Sequence, residues 1–144
     1  MANKVIIIAE AGVNHNRDIN LAKKLIEEAA HAGADYVKFQ TFKAKNLVSK
    51  TARKADYQIK NSKGGDNSQF QMLKNLEMPF EWHFALKVYA EKFGIKFLST
   101  GFDEEAIDFL NKLGVDLFKI PSGEITNKPY LIDVAEKRKP IILS

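Results

Sequence analysis

The chain of 144 residues has no cysteine, so disulfide bridges and thiolate chemistry are excluded. That absence fits a reducing, cytoplasmic setting. No apolar run is long enough to cross a bilayer, and no secretory signal precedes the first apolar segment. The dinucleotide fingerprint Gly-x-Gly-x-x-Gly is missing after that segment, which argues against a Rossmann-type cofactor domain. No His-x-x-x-His or similar spacing offers a metal site within the chain. No basic–aromatic repeat or binding module points to nucleic acid.

What remains is an ordinary globular composition, 45% apolar and 28% charged, long enough for one domain with a real core. The net charge of +4 is unevenly placed. Residues 41–65 hold seven Lys and Arg (Lys43, Lys45, Lys50, Arg53, Lys54, Lys60, Lys63) against Asp56 alone, so the rest of the chain is acidic. A basic excursion of this kind is a solvated face or an attractor of anionic ligands.

A unit of helix, glycine and strand recurs along the chain. The first strand is read at Val5–Ala9, a continuous apolar run suited to a sheet covered on both faces. A helix follows, capped by Asp18. Leu21, Leu25 and Ala29, with Ala22, Ile26 and Ala30, form its apolar face, and Gly33 ends it. "YVKFQ" is the second strand. "EWHFALKVYAEKFG" ends at Gly94 before "IKFLST". "DEEAIDFLNKLG" ends at Gly114 before "VDLFKIPS". "PYLIDVAEKR" precedes "PIILS". Asp103 and Asn127 are the cap candidates of the later helices. The long connection 41–79 is predicted to hold a short helix at "NSQFQMLKNLE", with Lys43 to Gly65 passing over one rim.

Successive βα units with short links predict a parallel sheet. Polar residues recur at the C-terminal ends of the strands, which favours a (β/α)₈ barrel rim over an open doubly wound sheet. Five strands and about four helices are legible, so residues 1–144 read as the N-terminal part of an α/β TIM-barrel domain, with strands 6–8 outside them.

Side chains alternate along a strand. Ile6, Ile8 and Glu10 share one face, as do Tyr36, Lys38 and Gln40, then Lys96, Leu98 and Thr100, then Leu117 and Lys119. Glu10, Lys38, Gln40, Thr100 and Lys119 thereby fall at one end of the barrel. Lys38 and Lys119 each stand five residues after a helix-ending glycine. Two ammonium groups and one carboxylate leave positive charge uncompensated, which a bound anion would satisfy. "KIPSGE" (119–124) adds the Ser122 hydroxyl and backbone donors beside Lys119, and Ser144 adds another hydroxyl. His15 falls in the rim loop after the first strand, where it either lines the pocket or, the favoured reading, fixes that loop. His31 and His83 fall in helices as surface or packing residues.

With these residues assembled, the chain resembles the N-acetylneuraminate (sialic acid) synthase family. The matching stretches are "IIAEAGVNHN", "AGADYVKFQTFK", "GIKFLSTGFDEEA", "FKIPSGEITNKPYL" and "KPIILS". One departure is Arg17, where the family usually has glycine after Asn-His-Asn.

The resemblance implies a barrel that condenses phosphoenolpyruvate with an N-acetylated sugar aldehyde, such as N-acetylmannosamine. Water enters, and a nonulosonic acid and phosphate leave. It implies a divalent manganese or magnesium ion that polarises the aldehyde, with ligands beyond Ser144. It also implies homodimers in which a C-terminal antifreeze-like domain, outside this sequence, covers the partner's barrel. By the same resemblance Lys38 and Thr100 hold the carboxylate, and Lys119, Ser122 and Ser144 hold the phosphate. Gln40 meets the sugar, Glu10 moves a proton or orients water, and Glu124 holds Lys119 or the turn. The 144 residues alone are expected to be inactive. Two rival readings are a Schiff-base aldolase using Lys38 or Lys119, and a non-catalytic half-barrel that pairs through its exposed strand edges.

Overall fold

Asp18, Asp103 and Asn127 start helices where the sequence places them. The computed structural model of the chain describes residues 5–51 and 66–144. Its elements run β1 (Ile8–Gly12), α1 (Ile19–His31), β2 (Tyr36–Thr41), α2 (Ala44–Thr51), α3 (Asp66–Leu76), α4 (Phe80–Lys92), β3 (Lys96–Gly101), α5 (Glu104–Leu113), β4 (Phe118–Ile120), a single 3₁₀ turn (Ser122–Glu124), α6 (Lys128–Glu136) and β5 (Ile141–Leu143). The Asp18 carboxylate accepts from the Asn20 amide at 2.8 Å, and Asp103 accepts from the Ala106 amide at 2.8 Å. Each satisfies amides that a helix N-terminus leaves unpaired.

All strand pairs are parallel. β1 pairs with β2, β2 with β3, and β4 with β5, while β4 lies beside β3. Neighbours in space are neighbours in sequence, the order of a barrel wall and not of a doubly wound sheet.

The alternation of side chains divides the core in two. Outward-facing Val37, Phe39 and Phe97 pack on Ile26, Leu86 and Ala90 of the helices. Ile107, Leu110, Phe118, Ile120, Tyr130 and Val134 continue that layer around α5 and α6. On the inner face Tyr36, Leu98 and Leu117 form a smaller cluster with Ile8 and Ile142. This inner layer is an apolar plug at mid-height of the wall, and each fully buried residue of Leu98's size contributes about 1.5–3 kcal/mol.

Two expectations are corrected. The first strand begins at Ile8, not Val5. Val5, Ile6 and Ile7 stay more than half exposed. The Asp35 carboxylate takes the Ile7 amide at 2.9 Å, and the Ile7 carbonyl accepts from the Asp35 and Tyr36 amides, so the regular ladder starts one residue later. The connection 41–79 contains two helices, α2 and α3, giving six α-helices among the described residues. α2 is held from a distance. The buried Glu77 accepts from the Ala44 amide at 2.9 Å, and Asn46 donates to Asp103 at 3.1 Å. No local sequence signal encodes those two ties. Lys50 of the basic excursion lies within α2, and its members Arg53 to Lys63 lie outside the described residues.

Candidate active site

Above the apolar plug, at the C-terminal ends of the strands, lies an open cavity of about 380 Å³. Its lining includes Glu10, Lys38, Gln40, Thr100, Lys119, Ser122 and Ser144. Seven of the eight residues singled out in the sequence therefore share one space.

The strand register explains the convergence. Glu10 is level with Lys38 across β1–β2, and Gln40 with Thr100 across β2–β3. After Glu10 the register slips, so that Gly12 faces Phe39 and Ala11 is an extra residue in β1. A bulge of this kind bends the strand and re-aims its side chains. Gly12 has φ 55, and a Cβ there would stand 3.3 Å from Glu10 Oε1. Glycine at this position thus leaves room for the Glu10 carboxylate and permits the turn.

The charges are unequal. Lys38 forms an ion pair with Glu10, and its ammonium lies 3.5 Å from Thr100 Oγ1. Lys119 donates to the Ile120 carbonyl at 2.9 Å and to Ser144 Oγ at 2.5 Å. Among the described residues it has no carboxylate partner. Burial, followed by the nearby Lys38 charge, pushes the Lys119 ammonium below the ordinary lysine range, and Glu10 opposes this in part. The two cations therefore sense each other in one field, with a single carboxylate between them.

Glu124 stands apart from the cavity. Its carboxylate accepts from Asn127 Nδ2 at 2.5 Å, and Asn127 in turn caps α6 through the Tyr130 amide. Of its two expected roles it serves the turn and does not hold Lys119. Lys43, from the basic excursion, lies over the Phe80 ring at 3.8 Å and 4.0 Å from Glu77. It is engaged on the outer layer. His15 is fully buried beside Phe39 and Trp82, and its Nδ1 accepts from the Arg17 amide at 3.0 Å. Burial lowers its pKa, so it is neutral and fixes the rim loop. His83, read as a surface or packing residue, is fully buried and hydrogen-bonded. Asn14 and Phe102 also line the cavity and were not singled out. Asn14 sits within "GVNHN", where its polar side chain on a strand-end loop was the available signal.

Residues 25–144 match the sequence profile of the NeuB family. The chain belongs to the NeuB family. It is 60% identical over 141 residues to the N,N'-diacetyllegionaminic acid synthase of Campylobacter jejuni, covering 98% of this chain and 42% of that protein. The N-acetylneuraminate-9-phosphate synthase of Homo sapiens is 38% identical over 138 residues, covering 96% of this chain and 38% of that protein. Among solved structures, the sialic acid synthetase of Leptospira borgpetersenii in complex with citrate superposes with a TM-score of 0.80 at 33% identity. That match covers 98% of this chain and 44% of the other. The chain therefore spans less than half the length of the curated relatives it matches. It is an α/β segment equivalent to the N-terminal part of the NeuB-family barrel, and among its described residues no helix is long and apolar enough to cross a membrane.

Proposed function

We propose that this NeuB-family chain carries the phosphoenolpyruvate-binding part of a nonulosonic acid synthase. Phosphoenolpyruvate and an N-acetylated sugar aldehyde condense, water adds, and a nonulosonic acid and inorganic phosphate leave. The observation that carries the reading is the single cavity with two ammonium groups and one carboxylate, a surplus of positive charge suited to a small polyanion. The Leptospira sialic acid synthetase is in complex with citrate, itself a small polyanion.

In this reading Lys38 and Thr100 hold the substrate carboxylate. Lys119 with Ser144 and Ser122 holds the phosphate, and the Lys119 ammonium stabilises the charge on the departing phosphate. Gln40 hydrogen-bonds the sugar, and Glu10 beside Lys38 transfers the proton between water and the reacting centre. The enol carbon bonds to the aldehyde carbon, water bonds to the adjacent carbon, and the carbon–phosphate oxygen link breaks. Two relatives near 60% identity make N,N'-diacetyllegionaminic acid, whereas the pseudaminic acid synthases are 31% and 33% identical. A sugar bearing two acetamido groups is therefore the favoured acceptor.

Among the described residues no three His, Cys, Asp or Glu side chains converge where a metal ion would sit. The residues present do not fit the divalent ion the family implies.

The test is phosphate release by the full-length protein, given phosphoenolpyruvate, manganese and a panel of mono- and diacetamido hexoses. Release dependent on the sugar is expected, greatest with the diacetamido compound. No release with any sugar overturns the reading. The lowered Lys119 also favours a Schiff-base alternative, which borohydride trapping with pyruvate separates: an adduct at Lys119 supports the aldolase, and its absence supports the synthase.

A further inference from the structure

Two buried polar side chains interrupt the outward, helix-facing side of the sheet. Val37, Phe39 and Phe97 are apolar there, but Thr41 and Ser99 are not, although both are fully buried. Apolar residues would fill these positions without the cost of desolvating hydroxyls. Thr41 Oγ1 lies 2.7 Å from Ser99 Oγ and 2.7 Å from His83 Nε2, and His83 Nδ1 lies 3.1 Å from the Pro79 carbonyl.

The direction of this chain follows from its end. A carbonyl only accepts, so His83 Nδ1 carries the proton. In the neutral ring Nε2 is then an acceptor, and Thr41 donates to it. Thr41 accepts in turn from Ser99. The order is Ser99 to Thr41 to His83 to Pro79, and it joins β3, β2 and the start of α4, whose Pro79 cap position has no side-chain cap of its own.

Thr41 follows Gln40 and Ser99 precedes Thr100, and Gln40 and Thr100 are register partners that line the cavity. The hydroxyl chain thus grips β2 and β3 from behind at the level where those two side chains enter the cavity. We infer that His83 is a positioning residue, fixing β2 against β3 through Thr41 and Ser99 so that Gln40 and Thr100 are held in place for substrate. This rests on the phosphoenolpyruvate reading above, in which both residues meet substrate.

The surroundings keep the ring neutral. Phe80, Phe97 and Phe109 pack around it. Burial pushes its pKa down to about 4, with His15 from the β1–α1 loop and Lys43 from the β2–α2 connection acting the same way, and the Pro79 and Phe80 backbone opposing. Protonation would turn Nε2 into a donor and leave the Thr41 proton without its acceptor unless the Thr41–Ser99 bond reversed.

The test uses the full-length protein. His83→Gln keeps a polar group at the Nε2 position and cannot titrate, whereas His83→Leu keeps bulk and loses both bonds. His83→Leu is expected to raise KM for phosphoenolpyruvate about tenfold with kcat within about twofold, and to speed amide exchange at Gln40 and Thr100. His83→Gln is expected to restore most of both. Ring ¹⁵N spectra should show a neutral, Nδ1-protonated His83 from pH 8 to pH 5. If His83→Leu does not fold, Thr41→Val and Ser99→Ala carry the same comparison. Unchanged KM and unchanged exchange in folded variants, or an Nε2-protonated ring, overturn the inference. A wild-type protein that releases no phosphate overturns the functional reading instead, and amide exchange at Gln40 and Thr100 still decides the positioning role.

Discussion

Removing one charge at a time from the cavity should move anion affinity in opposite directions. Lys38, Lys119 and Glu10 sum to one net positive charge. Lys119→Met keeps side-chain length and removes the cation that lacks a carboxylate partner among the described residues. A hydrogen bond to a charged group contributes about 1.5–3 kcal/mol, so phosphate affinity should fall about ten- to a hundredfold. Glu10→Gln removes the carboxylate that competes with the ligand for Lys38. The Glu10 side chain is 51% exposed, so its field is screened and the gain is modest, about two- to fivefold tighter binding. Turnover should move the other way for Glu10→Gln, falling about a hundredfold or more if the carboxylate transfers the proton. Calorimetric titration of the full-length protein with inorganic phosphate reads the affinities, and a repeat at higher salt should weaken all of them. If Lys119→Met binds phosphate as well as wild type, or Glu10→Gln binds it more weakly, the charge argument for this cavity is wrong.

Other perturbations read the scaffold. Arg17 has φ 57 and follows Asn16 at φ 45, two left-handed residues in a row. Arg17→Gly should relieve about 1–2 kcal/mol of backbone strain and give back about 0.5–1 kcal/mol through the freer unfolded chain, a small net gain seen as a raised melting temperature. An unchanged or lower one refutes the strain. Tyr130 donates to the Gly101 carbonyl at 2.7 Å in a buried setting, so Tyr130→Phe should cost about 1–3 kcal/mol in denaturant unfolding. A loss under about 0.5 kcal/mol would show that the carbonyl finds another donor. His83 and His15 have folded pKa values below the unfolded value, so the unfolded chain binds more protons on acidification. The His83 contribution is complete above about pH 6.5 and is lost as pH falls toward 4, and the His15 contribution is lost in the same direction below about pH 6.5. Denaturant midpoints at pH 7.5, 6 and 5 should decline in wild type and decline less in His83→Gln, and a flat wild-type profile would contradict the burial argument.

Much of this was legible because period-two alternation and helix-ending glycines are local signals. Gly33 and Gly114 place Lys38 and Lys119 at the same offset in two of the repeating units, and alternation alone puts both on the inner face. The apolar residues that share that face, Tyr36, Leu98 and Leu117, close into the plug that alternation requires. What escaped the sequence depends on partners far along the chain. Helix α2 needs Glu77 and Asp103, 33 and 57 residues from the groups they hold. The late start of β1 depends on Asp35, and the burial of His83 on hydroxyls from two strands. The bulge at Ala11 changes the aim of Glu10 without changing any residue type, so only the pairing register shows it.

The inner face carries a third lysine, and it explains why residue type alone does not make a site. Lys96 lies below the apolar plug, at the opposite end of β3 from Thr100. It pairs with Asp116 at 2.6 Å, and the Tyr36 hydroxyl lies 3.4 Å from the same carboxylate. Asp116 pushes the Lys96 ammonium above the ordinary lysine range, whereas Lys119, above the plug, is pushed down. One cation is matched by its own carboxylate in solvent. The other shares a cavity with a second cation and must divide one carboxylate with it. Anion affinity should follow that imbalance and not the count of inward lysines. Lys96→Met is therefore expected to leave phosphate affinity within about twofold of wild type, because the lost charge is already neutralised by Asp116, is exposed to screening solvent, and stands four residues, about 13 Å, down β3 from Thr100. A tenfold loss of phosphate affinity in Lys96→Met, at unchanged stability, would mean that the field in the cavity is set by the whole barrel wall and not by the groups that line it.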